Sequence, residues 1–563
     1  MLAIEVTGEW LDHKHIRAHF AKYPKRFKPA INRRYVELYQ REGRAAANLA
    51  LLDITEAIGG NKALLAASDD EICAYAKARA DECFRLAGYW KDADLALRAM
   101  IGLAEKYGIK PQFKGVEKSG QRARLCCELW WRRQLRKVVG RQVEAAAINL
   151  GMVSKRAGIY SSDETVARRK GQRRRNAALL ETILAVNDEG QEYTLAQLSA
   201  LGVSNPEIRR MELMARMAGF DSYSRTHGHA AEFYTITAPS RFHAVRSDGK
   251  PNPKYKAETP REAQAHLCKG WALSRAALAK EGIKVYGFRV VEPHHDGTPH
   301  WHMVLFMQPA HVERVREVLR HYALREDGDE FGASEHRFKF EPIDRKKGSA
   351  VGYLAKYISK NINGKGLEDA DDFEGGSVTG NAVRVDAWAA CWGIRQFQQI
   401  GGAGVGVWRE LRRLGDAGDD QMGGILPDLV AAADAGDWAG YTALMGGAFA
   451  KRRFHAVKVR RVWFDEAMTR YDGAGMERVE GLETRWGDYV KTRLREWVLK
   501  RAVRPAWSSV NNCNRGNGDG RENGAFAAPN AGGRSAFRES EARADVSKGA
   551  SSRGIGGGCH GAA

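Results

Sequence analysis

Pro299-His300-Trp301-His302-Met303-Val304-Leu305-Phe306 and Tyr353-Leu354-Ala355-Lys356-Tyr357-Ile358-Ser359-Lys360-Asn361 are the two stretches on which this chain is read. In a strand, alternate side chains share a face, so His300 and His302 point one way and Trp301 the other. In a helix, residues four apart lie one turn apart on one face, so Tyr353 and Tyr357 present two phenols to one place. Lys356 and Lys360 form a second such pair on a nearby face. A metal site facing two tyrosines is equipment for cutting and rejoining a single DNA strand. Taken alone, a His-x-His can be a surface or packing pair, and the tyrosines can be half-buried residues of an amphipathic helix.

The surrounding pattern places both stretches in one α+β domain. Glu232–Pro239 is β-branched and aromatic and ends at a proline, as a strand does. A helix is expected over 259–281, a strand over 284–292, a turn at Asp296-Gly297 and a strand over 300–307, which together make an antiparallel hairpin. A helix over 310–325, a strand over 336–342 and a helix over 349–361 complete the set. The expectation is a central antiparallel sheet of about four or five strands with helices on one face. Residues 226–412 form this nuclease domain, with 380–412 as a helical extension. The glycines at 401, 402, 404 and 406 lack a Gly-Lys-Ser/Thr and a strand-loop-helix setting, so no nucleotide site is expected.

Two imidazoles at this spacing can grip one divalent cation, and a third ligand is needed. Glu292, across the turn at the end of the preceding strand, is the geometric choice. His294 and His295 in the turn are rivals. Two histidines and a carboxylate around Mg²⁺ or Mn²⁺ leave positions open for phosphate oxygens and water. The metal would act as Lewis acid and template on a scissile phosphate. A tyrosinate attacking the DNA backbone gives a 5′-phosphotyrosine and a free 3′-hydroxyl. Lys356 and Lys360 could offset charge on the phosphorane or stabilise the phenolate.

Outside this domain the chain is less explicit. It has 563 residues and a formal net charge of +20, a balance that favours a polyanion such as nucleic acid. Residues 1–225 are rich in helix formers at three- and four-residue spacing. They carry two basic patches: Trp130-Trp131-Arg132-Arg133 with Arg136 and Lys137, and Arg168, Arg169, Lys170, Arg173, Arg174 and Arg175. Both are candidate DNA contacts, with Trp130 and Trp131 either stacking on bases or packing in a core. Residues 413–504 are mixed, with basic stretches at Lys451-Arg452-Arg453 and Lys458 to Arg461. Residues 505–563 are rich in Asn, Gly, Ser and Arg and are expected to be disordered. The eight cysteines have no Cys-x-x-Cys, so neither a zinc ribbon nor a disulfide scaffold is expected. The first residues lack the pattern of a signal peptide. No stretch reaches about 18 apolar residues without charge, so no membrane span is expected.

The chain resembles the phage P2-type replication initiator (replication gene A protein) family within the HUH endonuclease superfamily. The resemblance rests on His300-Trp301-His302 and on Tyr353, Lys356, Tyr357, Lys360 and Asn361. Thr235-Ile236-Thr237-Ala238-Pro239, Ala387-Trp388, Trp392 through Gln399 and Cys126 to Leu135 support it, and it covers roughly residues 60–410. It implies a site- and strand-specific nick at a phage origin and rolling-circle replication, with single- and double-stranded DNA as partners. Tyr353 and Tyr357 would be the nucleophiles, and His300 and His302 metal ligands. A host replicative helicase would unwind the duplex, in the cytoplasm of a bacterium carrying the phage or prophage. An HUH transposase or a plasmid relaxase would share this chemistry, and a basic DNA-binding scaffold would lack it.

Overall fold

The computed structural model describes Ala18 and residues 22–56, 64–246, 248–346, 348–362, 378–415, 423–464 and 476–501. The expected disordered stretch 505–563 lies outside the described residues. Among the described residues the N-terminal part is helical: α1 (Lys28–Glu56, interrupted at Gly43 with φ 83°), α2 (Asp69–Tyr89), α3 (Ala93–Lys106), α4 (Lys118–Leu125), α5 (Glu128–Asn149) and α6 (Asp163–Glu181). Their starts follow local chemistry. Ser68 and Glu71 form a capping box on α2, and Ser162 accepts from the Thr165 amide on α6. A short hairpin, β1 (Ile183–Asn187) and β2 (Glu192–Thr194), is followed by α7 (Leu195–Ala200) and α8 (Pro206–Thr226).

Next come β3 (Ala230–Thr237), α9 (Pro260–Lys280), β4 (Tyr286–Pro293), β5 (Pro299–Met307), α10 (Val312–Leu324), α11 (Ala333–His336), β6 (Phe338–Pro342), α12 (Ala350–Ile362), α13 (Val378–Trp392) and β7 (Phe397–Ile400). The strands form one antiparallel sheet in the order β6-β3-β5-β4-β7. The β4–β5 hairpin turns where the sequence signals it, with Gly297 in the left-handed region at φ 85°.

The sheet is covered on both faces, not on one as the sequence suggested. Trp301, Met303, Leu305 and Met307 enter one core with Leu267 and Trp271 of α9 and Val315 and Leu319 of α10. Val304 and Phe306, pointing the other way, enter a second core with Phe220 of α8 and Leu354 and Ile358 of α12. The near-continuous apolar run of β5 is the pattern of a strand buried on both sides, where strict alternation would leave one side wet.

The first core runs on into the N-terminal helices, through Leu135 and Val139 to Phe27 and Tyr35. Trp130 and Trp131 belong to it, edge to face at 5.4 Å, with the Trp131 indole donating to the Leu125 carbonyl at 2.7 Å. The two indoles therefore pack as core and offer no face to a base, which corrects the stacking alternative. The remaining elements are α14 (Val405–Leu414), α15 (Leu426–Asp434), α16 (Trp438–Leu444), β8 (Val457–Phe464), β9 (Met476–Thr484), β10 (Tyr489–Lys491) and β11 (Trp497–Arg501). Strands β8 to β10 form a three-stranded sheet, while β11 returns to pair with β1. Among the described residues no helix is long and apolar enough to cross a membrane.

Candidate active site

The register of three strands builds the site. His300 lies opposite Glu292 on β4, and His302 lies opposite Thr235 on β3. Directly opposed residues share a face, so Glu292 and the two imidazoles meet on the side covered by α12. The Nε2 atoms of His300 and His302 are 2.8 Å apart, and Glu292 Oε2 is 3.8 Å from His302 Nε2. The ligand atoms of the three residues all lie within 4.8 Å of one another. Two ligands at right angles, each about 2.1 Å from a small divalent cation, stand about 3 Å apart, so the histidine pair fits such an ion. Thr235 Oγ1 lies 3.1 Å from His302 Nδ1, which fixes that ring and leaves its Nε2 facing the site.

The rival ligands are placed elsewhere. Among the described residues, Glu292, His300 and His302 are the one group of three His, Cys, Asp or Glu side chains poised around a common point. The His294 ring stacks on His300 at 4.1 Å, outside that group. The His295 carbonyl accepts from the Tyr160 amide.

Helix α12 lays its tyrosines over the same face. The Tyr357 ring stacks on His302 at 4.0 Å and 20°, and Phe233 of β3 touches both phenols, at 5.6 Å for Tyr353 and 6.0 Å for Tyr357. Burial, and then the Glu292 and Glu341 carboxylates, push the Tyr357 phenol up to about 12. The Tyr353 hydroxyl donates to Glu341 Oε1 at 3.2 Å. Partial burial and that bond raise its pKa as well. Lys356 is exposed on α12 beside Tyr357. Lys360 belongs to the same helix, but its side chain lies outside the described residues.

One buried residue joins the two halves of the site. Asn361 donates through Nδ2 to Glu292 Oε1 and to the Tyr357 carbonyl, and its Oδ1 accepts from Gln396 Nε2 at 3.1 Å. Thr235, Asn361 and Gln396 were not singled out as site residues from sequence. The available signal was that Asn361 stands four residues after Tyr357, on the same helix face.

The basic patches lie on α5 and α6, and several of their guanidinium groups tie helices together. Arg136 and Arg175 pair with Asp69 at 2.6 and 3.1 Å, Arg168 with Glu164 at 2.8 Å, and Arg169 and Arg173 with Asp386 at 2.8 and 3.6 Å. Arg132 is half-buried, while Arg133 and Lys137 are exposed. Lys170 and Arg174 are exposed and make no ion pair among the described residues.

Residues 74–365 match the family described as "Bacteriophage replication gene A protein (GPA)", a span that takes in Glu292, both histidines, both tyrosines and Asn361. The chain belongs to the bacteriophage replication gene A protein family. Among curated members and relatives, the "Probable replication protein P12" of Pseudoalteromonas phage PM2 is 44% identical over 398 residues, covering 69% of this chain and 61% of its own length. The "Replication gene A protein" of Escherichia phage 186 is 42% identical over 414 residues, 69% of this chain and 59% of that one. The "Probable replication endonuclease from prophage-like region" of Shigella boydii is 36% identical over 423 residues, 70% of this chain and 52% of that one. The chain thus matches less than two thirds of the length of each of these relatives. No solved structure matches it.

Proposed function

We propose that this protein is a metal-dependent, site- and strand-specific single-strand DNA endonuclease and strand-joining enzyme of the HUH type. On this reading it nicks a phage replication origin through a covalent 5′-phosphotyrosine and so starts and ends rolling-circle replication. The observation that carries the reading is the Tyr357 ring lying flat on His302 at 4.0 Å, beside His300 and Glu292. The names of the relatives, replication protein and replication endonuclease, support the replicative role over transposition or plasmid transfer.

Glu292, His300 and His302 would hold Mg²⁺ or Mn²⁺, which when bound polarises a phosphoryl oxygen and offsets its charge. The chain's own part begins with Tyr353 or Tyr357. Its Oη attacks the phosphorus as the phenolic proton passes to solvent water, which returns a proton to the leaving oxygen. The bond from phosphorus to the 3′-oxygen breaks, and that oxygen leaves as a hydroxyl. The DNA stays joined to the tyrosine through its 5′-phosphate. The second tyrosine can then attack a regenerated junction, and the free 3′-hydroxyl displaces the first tyrosine to close a circle. Lys356 and Lys360 would balance charge on the pentavalent phosphorus. A host replicative helicase would open the duplex, and the setting would be the cytoplasm of a bacterium carrying the phage or prophage.

The test is a denaturing gel with 5′- and 3′-labelled single-stranded DNA from the protein's own gene region, with Mg²⁺ or Mn²⁺ and with EDTA. A metal-dependent adduct on the 5′ end of the break, mapped by mass spectrometry to Tyr353 or Tyr357, is expected. Cleavage without an adduct means a hydrolytic nuclease. No cleavage across the panel, with DNA binding intact, means a scaffold.

A further inference from the structure

Beyond the metal ligands, the sheet face opens into a groove of about 740 Å³. Thr235, Thr237 and His300 lie along it, so it begins at the candidate metal site. Its rim carries three cations, Arg246, Lys254 and Lys339. Lys339 stands opposite Thr235, which stands opposite His302. Two strand spacings therefore place the Lys339 backbone about 10 Å from that of His302, on the same face. Arg246 pairs with Asp248 at 2.8 Å and Lys254 with Glu330 at 3.1 Å. Lys339 is exposed and makes no ion pair among the described residues.

The groove also carries Phe331, whose side chain is fully exposed. It lies in the turn between α10 and α11. Of the acids of that turn, Asp327 and Glu330 are engaged, Asp329 is exposed, and none of the three is among the residues that line the groove. Asp327 holds Arg241 at 2.9 Å, and Glu330 accepts from the Ser240 hydroxyl at 2.5 Å. A single exposed apolar side chain is ordinary on a protein surface; what sets Phe331 apart is its place in a groove that starts at the candidate metal site. It shares the groove with Arg246, Lys254 and Lys339, and no Asp or Glu lines that groove, which suits an anionic ligand with a flat apolar face.

We infer that this groove holds a short unpaired DNA segment flanking the scissile phosphate, with Phe331 stacking on one base and Lys339 against the backbone. A duplex does not fit this arrangement, because its bases are already stacked and show a protein only their edges. The inference rests on the nicking reading for the identity of the strand, and adds where that strand runs.

The experiment is fluorescence anisotropy on the full-length protein with a labelled 12-nucleotide oligothymidylate, in EDTA so that no cleavage intervenes. Phe331→Ala is expected to weaken binding at least about fivefold, with Phe331→Trp retaining it. Lys339→Ala is expected to lower the slope of log affinity against log salt by about 0.7. Affinity for a duplex of equal length should stay unchanged in all three variants. Photocrosslinking with 4-thiothymidine should map to the Phe331 turn. Unchanged oligothymidylate binding in Phe331→Ala, or crosslinks confined to other surfaces, overturns the groove. Because the Phe331 side chain is fully exposed, a folding defect is not expected to blur the result. The two readings fail separately. Groove binding without any tyrosine adduct removes the nuclease and keeps the groove, whereas nicking with an indifferent Phe331 does the reverse.

Discussion

Asn361 is the residue whose loss should separate metal binding from nucleophile chemistry. Its amide holds Glu292 from one side and the Tyr357 carbonyl from the other. Partners that orient a metal ligand typically contribute about 10- to 100-fold in affinity. Asn361→Ala should therefore weaken Mn²⁺ binding by about that factor, read by calorimetry without DNA, while both tyrosines remain in place. An unchanged Mn²⁺ affinity would remove Asn361 from the site. For the tyrosines, Tyr353→Phe and Tyr357→Phe are each expected to retain some nicking and to fail in the closing transfer. An adduct that survives the double substitution, detected by mass spectrometry, would sink the assignment. The histidines and tyrosines were legible because each pair shares a face within one element. Asn361 with Gln396, and Thr235 with His302, are contacts between elements, which spacing within one element does not encode.

At the level of elements, the β4–β5 hairpin sets the site, and Gly287 sets how closely its strands approach. A Cβ at Gly287 would lie 1.9 Å from the Val304 carbonyl oxygen, and its φ of 149° is one that L side chains rarely adopt. Gly287→Ala should cost about 2–3 kcal/mol of stability by crowding the ladder, measured by denaturant unfolding. An unchanged midpoint would mean that β4 has room to shift. The strands and helices of this region fall close to the expected spans: 286–293 and 299–307 for the hairpin, and 350–362 for the tyrosine helix. Alternation, proline and the Asp-Gly turn are local signals, so they were readable. Which helices cover which face is not local. The second face is closed by α8 and α12, elements far apart in the chain, and the apolar run of β5 was the one hint of it.

The whole molecule carries its positive charge unevenly in what that charge does. Much of the α5 and α6 patch is held in ion pairs with Asp69, Glu164 and Asp386, so a run of arginines in sequence is partly a helix-packing device. Such pairs at half-exposed positions contribute little each, about 0–1 kcal/mol, and act mainly as orientation. Lys170 and Arg174 are the members that point to solvent with no ion pair among the described residues. If this surface tracks duplex DNA, Lys170→Ala and Arg174→Ala should each lower the salt slope of duplex binding by about 0.9. A slope unchanged in the double variant would assign the patch to packing alone. The tryptophan pair beside it teaches the same lesson, since Trp130-Trp131 with four nearby cations reads like a base platform until the partners Tyr107 and Phe113 are known.

The pairing of β11 with β1 has a mechanical consequence. Ile183 opposes Arg501 and Asn187 opposes Trp497, so the chain enters β1 and leaves β11 at the same end of the ladder. Tension between the start of the chain and a point beyond Arg501 loads those rungs one after another, as in opening a zipper, instead of shearing them together. This small ladder should therefore yield at low force, rung by rung from the Ile183–Arg501 end.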